Sequence, residues 1–104
     1  MAEKHFFEIL EEEAPGIRKA FFDYAEAIKI DCGLDEKTFQ LVYIGIKAAS
    51  GEPGSVAAHA GYAKRAGATR DEVRGAVLVS MLSDGVTGIA SSLAAALDAY
   101  DAAE

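Results

Sequence analysis

The four residues Thr69-Arg70-Asp71-Glu72 constrain the fold of this chain more than any others. A threonine followed three residues later by a glutamate can close a capping box, each side chain bonding the other's backbone N–H. The segment it opens carries Val73, Val77, Leu78, Val79, Met81 and Leu82. Valine is a modest helix former, so composition alone leaves this run open between helix and strand. The capping box decides for helix. With it helical, every periodic segment of the chain reads as helix. The expected fold is all-α, with five main helices and a sixth at the N-terminus.

The other segments follow from their breaks. Residues 3–13 predict a short helix with Phe6, Phe7, Ile9 and Leu10 as its apolar residues and Glu11, Glu12 and Glu13 as a solvated face. His5 lies near this terminus and is expected at the surface. Pro15-Gly16 ends the element. Ile17, Ala20, Phe21, Tyr24 and Ile28 then recur at helical spacing, predicting an amphipathic helix with one buried stripe, stopped by Gly33. Asp35 is a good N-cap for a helix to about Ser50, with Leu34 and Phe39 at the spacing of a hydrophobic staple. Its apolar residues Phe39, Leu41, Val42, Ile44 and Ile46 surround the axis. After Gly51 to Gly54, Pro53 suits the first turn of a helix in which Val56, His59, Ala60 and Ala63 share a face. Lys64 and Arg65 complement its C-terminal dipole, and Gly67 stops it. Asp84-Gly85 precedes a last helix over residues 86–100. The acidic tail Asp98, Asp101 and Glu104 opposes that helix's dipole and predicts fraying.

A chain of 104 residues predicts a single domain, residues 1–104. The net charge of -7, without a basic run, argues against nucleic acid and anionic membrane as partners. The lone Cys32 excludes an intramolecular disulfide and a cysteine zinc site, and predicts a free structural thiol. Two histidines far apart in sequence, with no H-x3-H or H-E-x2-H pattern, predict no metal. No apolar run approaches the roughly 20 residues that cross a bilayer. The acidic start lacks a signal peptide's apolar segment, and a cytoplasmic protein is expected. Two helices are apolar on more faces than a small monomer can cover, which predicts a homo-oligomer.

Chemistry is sought around His59. Glu52, Ser55 and His59 are spaced by three and four residues, so they stack on one face if the helix begins by Glu52. An acid, a hydroxyl and an imidazole together can move protons, or activate Ser55 as a nucleophile with His59 as base. Nothing marks an oxyanion hole. Each residue also has a plainer role. Ser55 can satisfy backbone groups near the helix start. Glu52 can cap the helix or neutralise its positive end. His59 on an apolar face can be a hydrogen-bonded core residue. Gln40 is polar inside a very apolar helix and needs a buried partner, for which His59 and Tyr43 are candidates. Lys47 shares the face of Gln40 and Tyr43.

The succession LDEKTFQLVYIGIKAAS, followed by AAHAGYAKRAGATRDEVRGAVLVSM, resembles the carboxymuconolactone decarboxylase and alkylhydroperoxidase D superfamily over residues 21–100. Its most specific part is HAGYAKRAGATRDE, from His59 to Glu72. The resemblance implies an all-α fold without a cofactor, assembled as a hexamer or trimer. The superfamily's peroxidase branch carries E-x11-C-x2-C-x3-H. Aligned on His59, its cysteines fall on Glu52 and Ser55 and its glutamate on Gln40. Dithiol chemistry needs an attacking and a resolving thiol, and neither position supplies one. The decarboxylase branch needs no cysteine and resembles proton-transfer catalysts acting on a lactone acid. By that resemblance His59 would be acid or base, Glu52 would orient it, and Ser55, Gln40 or Tyr43 would contact a small organic acid or lactone. Lys47, Arg65 and Arg70 are the cations that could hold such an anion. The alternative is a non-catalytic oligomeric binding or assembly protein that kept the fold.

Overall fold

A computed structural model describes residues 5–86 and 89–104. Among them there are six helices and no strand: α1 Phe6–Glu13, α2 Pro15–Asp31, α3 Glu36–Ala49, α4 Pro53–Arg65, α5 Arg70–Asp84 and α6 Ile89–Ala102. The all-α expectation holds. The predicted starts at residues 3 and 86 differ: Glu3, Thr87 and Gly88 lie outside the described residues, and Val86 stands in the turn before α6. The chain divides into two compact units, one ending at Leu34 and one running from Asp35.

The first unit is the α1–α2 hairpin. Pro15 takes the first turn of α2, where a missing N–H costs no bond. Phe7 stacks on Phe21 at 5.7 Å and tilts against Phe22 at 4.9 Å. His5 does more than sit at the surface: it is the N-cap of α1, its Nδ1 accepting from the Phe7 N–H at 3.2 Å. The buried stripe expected on α2 is not formed within this unit. No residue of α1 or α2 is buried, because two helices alone offer too little surface to cover an apolar face.

The second unit packs α3 to α6 around Ile44, Val56, Ala60, Ala63, Val73, Val77, Ile89 and Ala96. Its helix ends are set by local chemistry. Asp35 caps α3 through the Thr38 N–H at 2.7 Å. Both halves of the capping box close at α5, at 3.1 Å and 2.8 Å. Gly67, at φ +97°, ends α4 in a Schellman motif, with Gly67 N–H on the Lys64 carbonyl and Ala68 N–H on the Ala63 carbonyl. The small side chains on α4 and α6 let these two helices pack against each other closely.

The C-terminus of α6 departs from the predicted fraying. Lys64 donates to the Tyr100 and Ala103 carbonyls at 2.9 Å and 2.8 Å. Arg70 pairs with Asp101 at 2.9 Å, and the Tyr100 hydroxyl donates to the Ala68 carbonyl at 2.7 Å. Cations arriving from α4 and α5 supply the positive charge that the tail's own sequence lacks.

Candidate functional site

The site is built where α4 lies against α3. Residues 36, 40, 43 and 47 fall on one side of α3 by their three- and four-residue spacing. His59 sits on α4 beside the buried Val56, Ala60 and Ala63, which fix that helix against the core. Gln40 is only 3 % exposed, whereas His59 is half-buried. The imidazole is therefore held by the core without being sealed from solvent.

His59 Nδ1 and Gln40 Oε1 are 2.6 Å apart, and Gln40 Nε2 donates to Glu36 Oε1 at 3.0 Å. The second bond orients the first. A carboxylate can only accept, so the Gln40 amide turns its NH2 to Glu36 and its carbonyl oxygen to His59. That oxygen also only accepts, so His59 donates from Nδ1. In the neutral ring the proton is then on Nδ1 and the lone pair on Nε2. Of the two partners expected for Gln40, the structure selects His59.

Aromatic rings complete the surroundings. Tyr43 stacks on the imidazole, centroids 3.8 Å apart and planes at 21°. Tyr62 meets it edge-on at 4.9 Å, and Phe39 lies 6.4 Å from Tyr43. Lys47 Nζ is 5.7 Å from the Tyr43 centroid, and the Arg65 guanidinium is 5.2 Å from that of Tyr62. One half-buried imidazole is thus flanked by two tyrosine rings, one stacked and one edge-on, with a cation over each tyrosine.

Glu52 departs from its expected position. Helix α4 begins at Pro53, so Glu52 is the N-cap residue, with φ -116° and ψ 76°, and its side chain makes no capping bond. It does not continue the face of Ser55 and His59. Its carboxylate pairs with Lys47 at 3.0 Å instead. The hydrogen bond that Lys47 donates to Glu52 raises its ammonium above its ordinary value. Ser55 stands one turn before His59 and is half-buried. Arg70 is tied to Asp101; among the described residues Lys47 and Arg65 lie over the Tyr43 and Tyr62 rings.

The structure brings together Gln40, Tyr43 and His59. It adds Glu36, which sequence reasoning passed over. The signal was the Glu36–Gln40 spacing of four, obscured because an acidic residue in a first helical turn is already explained by the dipole. Among the described residues no group of acidic, histidine or cysteine side chains could hold a metal ion. Cys32 is exposed at the C-terminal cap of α2. A cleft of about 570 Å³ lies elsewhere in the second unit, lined by Ala48, Ser50, Gly51, Ser80 and Asp84, and includes none of the candidate residues. No helix among the described residues is long and apolar enough to cross a membrane.

A family model described as the carboxymuconolactone decarboxylase family matches residues 15–98, nearly the stretch over which the sequence resemblance was read. No curated protein and no solved structure matches the chain.

Proposed function

The chain belongs to the carboxymuconolactone decarboxylase family, and on that premise we propose that His59 is a cofactor-independent proton-transfer group acting on a small organic acid or lactone. The observation that carries this reading is the pinned imidazole. Gln40 fixes the Nδ1 proton, so in the neutral ring Nε2 is the basic atom. A half-buried position keeps the ring accessible while its orientation is fixed. Tyr43 and Tyr62 offer flat apolar contact to a ring-shaped or conjugated substrate, and Lys47 or Arg65 offers a charge for its carboxylate. Ser55, half-buried one turn before His59, would contact a substrate oxygen. Glu52 acts at one remove, by holding Lys47.

In the reaction we infer, Nε2 takes a proton from carbon next to a carbonyl; in a decarboxylation, CO2 leaves and an Nε2 that has first taken a proton from solvent returns it to the carbanion, regenerating the neutral ring. The imidazolium of either route carries both N–H groups, and Nδ1–H stays on Gln40. Peroxidase chemistry of the dithiol kind has no support here, because Glu52 and Ser55 stand where the motif needs thiols. The test is deuterium uptake: a lactone acid is incubated with the protein in D2O and exchange next to its carbonyl is followed by NMR. We expect catalysed exchange, reduced about 100-fold or more in His59→Ala. Equal exchange with both proteins would contradict the assignment.

We also propose that the chain works as a cytoplasmic homo-oligomer, a hexamer or trimer. Support comes from apolar side chains that stay exposed on α3 and α5, namely Val42, Ile46, Val79 and Leu82. The same surfaces would serve the second reading, a non-catalytic assembly protein. The two readings differ in whether His59 matters to a ligand.

A further inference from the structure

Glu36 has no counterpart among the residues that the motif assigns. The motif places a glutamate at position 40, where this chain has Gln40. The structure supplies a carboxylate one helical turn earlier and passes it on through the amide: Glu36 Oε1 to Gln40 Nε2 at 3.0 Å, Gln40 Oε1 to His59 Nδ1 at 2.6 Å. We propose that Glu36 is a positioning residue for His59, acting through Gln40 to fix the Nδ1–H tautomer and to favour the imidazolium form.

The argument is one of donors, acceptors and charge. An unanchored glutamine can present either its oxygen or its NH2 to a histidine, and the two orientations select opposite tautomers. Glu36 removes that freedom, because its carboxylate accepts only from NH2. Burial makes the choice costly to reverse, since Gln40 is 3 % exposed and a flipped amide would turn its buried oxygen to the Glu36 carboxylate, which has no proton to donate. Glu36 itself is exposed, so the field of its carboxylate reaches the ring with partial screening. Glu36 touches no reacting atom in this scheme; its effect is transmitted.

Charged groups on the neighbouring elements have partners of their own. On α3, Lys47 is held by Glu52. On α4, Arg65 lies over Tyr62. On the helices packed against α3 and α4, Glu72 of α5 is engaged by Lys37 and by its capping box, and Asp101 of α6 is paired with Arg70. The ionisable rings Tyr43 and Tyr62 touch the imidazole directly.

The inference rests on the proton-transfer reading for its consequence, but its test is independent of turnover. The full-length protein is labelled with 15N-histidine, and the ring nitrogens of His59 are followed against pH, with the exposed His5 as internal reference. The wild type should hold neutral His59 in the Nδ1–H form. Glu36→Gln should lower the His59 midpoint by about half a pH unit, the size expected for one charge lost at this remove in a partly screened site, while His5 stays put. The exchanged double variant Glu36→Gln/Gln40→Glu puts the carboxylate directly on Nδ1 and should raise the midpoint by about one unit or more above wild type, with the same tautomer. Because Glu36 is exposed, Glu36→Gln tests the relay without opening the core. An Nε2–H tautomer in the wild type would overturn the proposal, as would unchanged His59 midpoints in both variants. If the nitrogen spectra come out as expected but deuterium exchange on the lactone acid is absent, the relay stands and the catalytic reading falls.

Discussion

Gln40 joins the core to the site, and its two bonds explain why an amide is tolerated there. Replacing it with leucine keeps the volume but leaves the His59 Nδ1–H and one Glu36 oxygen without their partner. We expect Gln40→Leu to lose about 1–3 kcal/mol of stability, measured by urea unfolding, and to release the histidine tautomer. A loss within the error of the fit would mean that the bonds to Glu36 and His59 contribute nothing net. Part of this residue-scale picture was legible beforehand. A polar side chain in an apolar helix must find a partner, and His59 was one of two within reach. The link to Glu36 was less visible, because a first-turn glutamate has an adequate local reason to be there. The Glu52–Lys47 pair was hidden for another reason: its partners lie on opposite sides of a helix break, where spacing rules for a single helix give no guidance.

At the scale of elements, caps made the architecture readable. The Thr69–Glu72 box, Asp35 and Gly67 each mark an end by local chemistry, and the structure places each as expected. Thr69→Ala should cost about 1 kcal/mol, seen as a lower urea midpoint with unchanged slope. A stability equal to wild type would show that the box does not hold the start of α5. Three carboxylates give the pH dependence. Backbone N–H donors lower Asp35, through Thr38, and Glu72, through Thr69; Arg70 lowers Asp101. A folded value below the unfolded one adds stability above the ordinary carboxylate range, and this is lost as pH falls through the folded values. Melting temperature should therefore change little from pH 7 to about 5 and decline below about pH 4. A stability that rose through that acid range would contradict these assignments. What local reading missed was the end of α6, where the cations come from helices distant in sequence. It also missed the close approach of α3 and α5. A Cβ on Gly45 would lie 3.3 Å from the Ala76 carbonyl oxygen. Gly45→Val should overpack that contact, at a cost of about 1–3 kcal/mol.

At the scale of the whole molecule, the governing fact is apolar surface without cover. Neither helix of the first unit has a buried residue, and Leu82 on α5 is 90 % exposed. Excess apolar residues around a helix were legible in the sequence; which side chains they leave uncovered was not, since that depends on how α3 to α6 share their core. Self-association predicts a sedimenting species of several chains at micromolar concentration. Leu82→Lys, which removes no core contact, should shift that species to lower mass with helicity retained. A folded wild-type monomer at the same concentration would refute the assembly.

The central claim is that His59 serves a ligand rather than only the core, and ligand-dependent melting tests it most directly. Wild type and His59→Ala would be melted at equal protein concentration with small carboxylates, lactones and quinones. A ligand at 100 times its Kd adds about 2.7 kcal/mol to the folded state, a shift of several degrees for a chain of this size. The account predicts at least one compound that stabilises the wild type and fails to stabilise His59→Ala. A strongly destabilised His59→Ala, with no compound shifting the wild type, would contradict it and assign the histidine to the core.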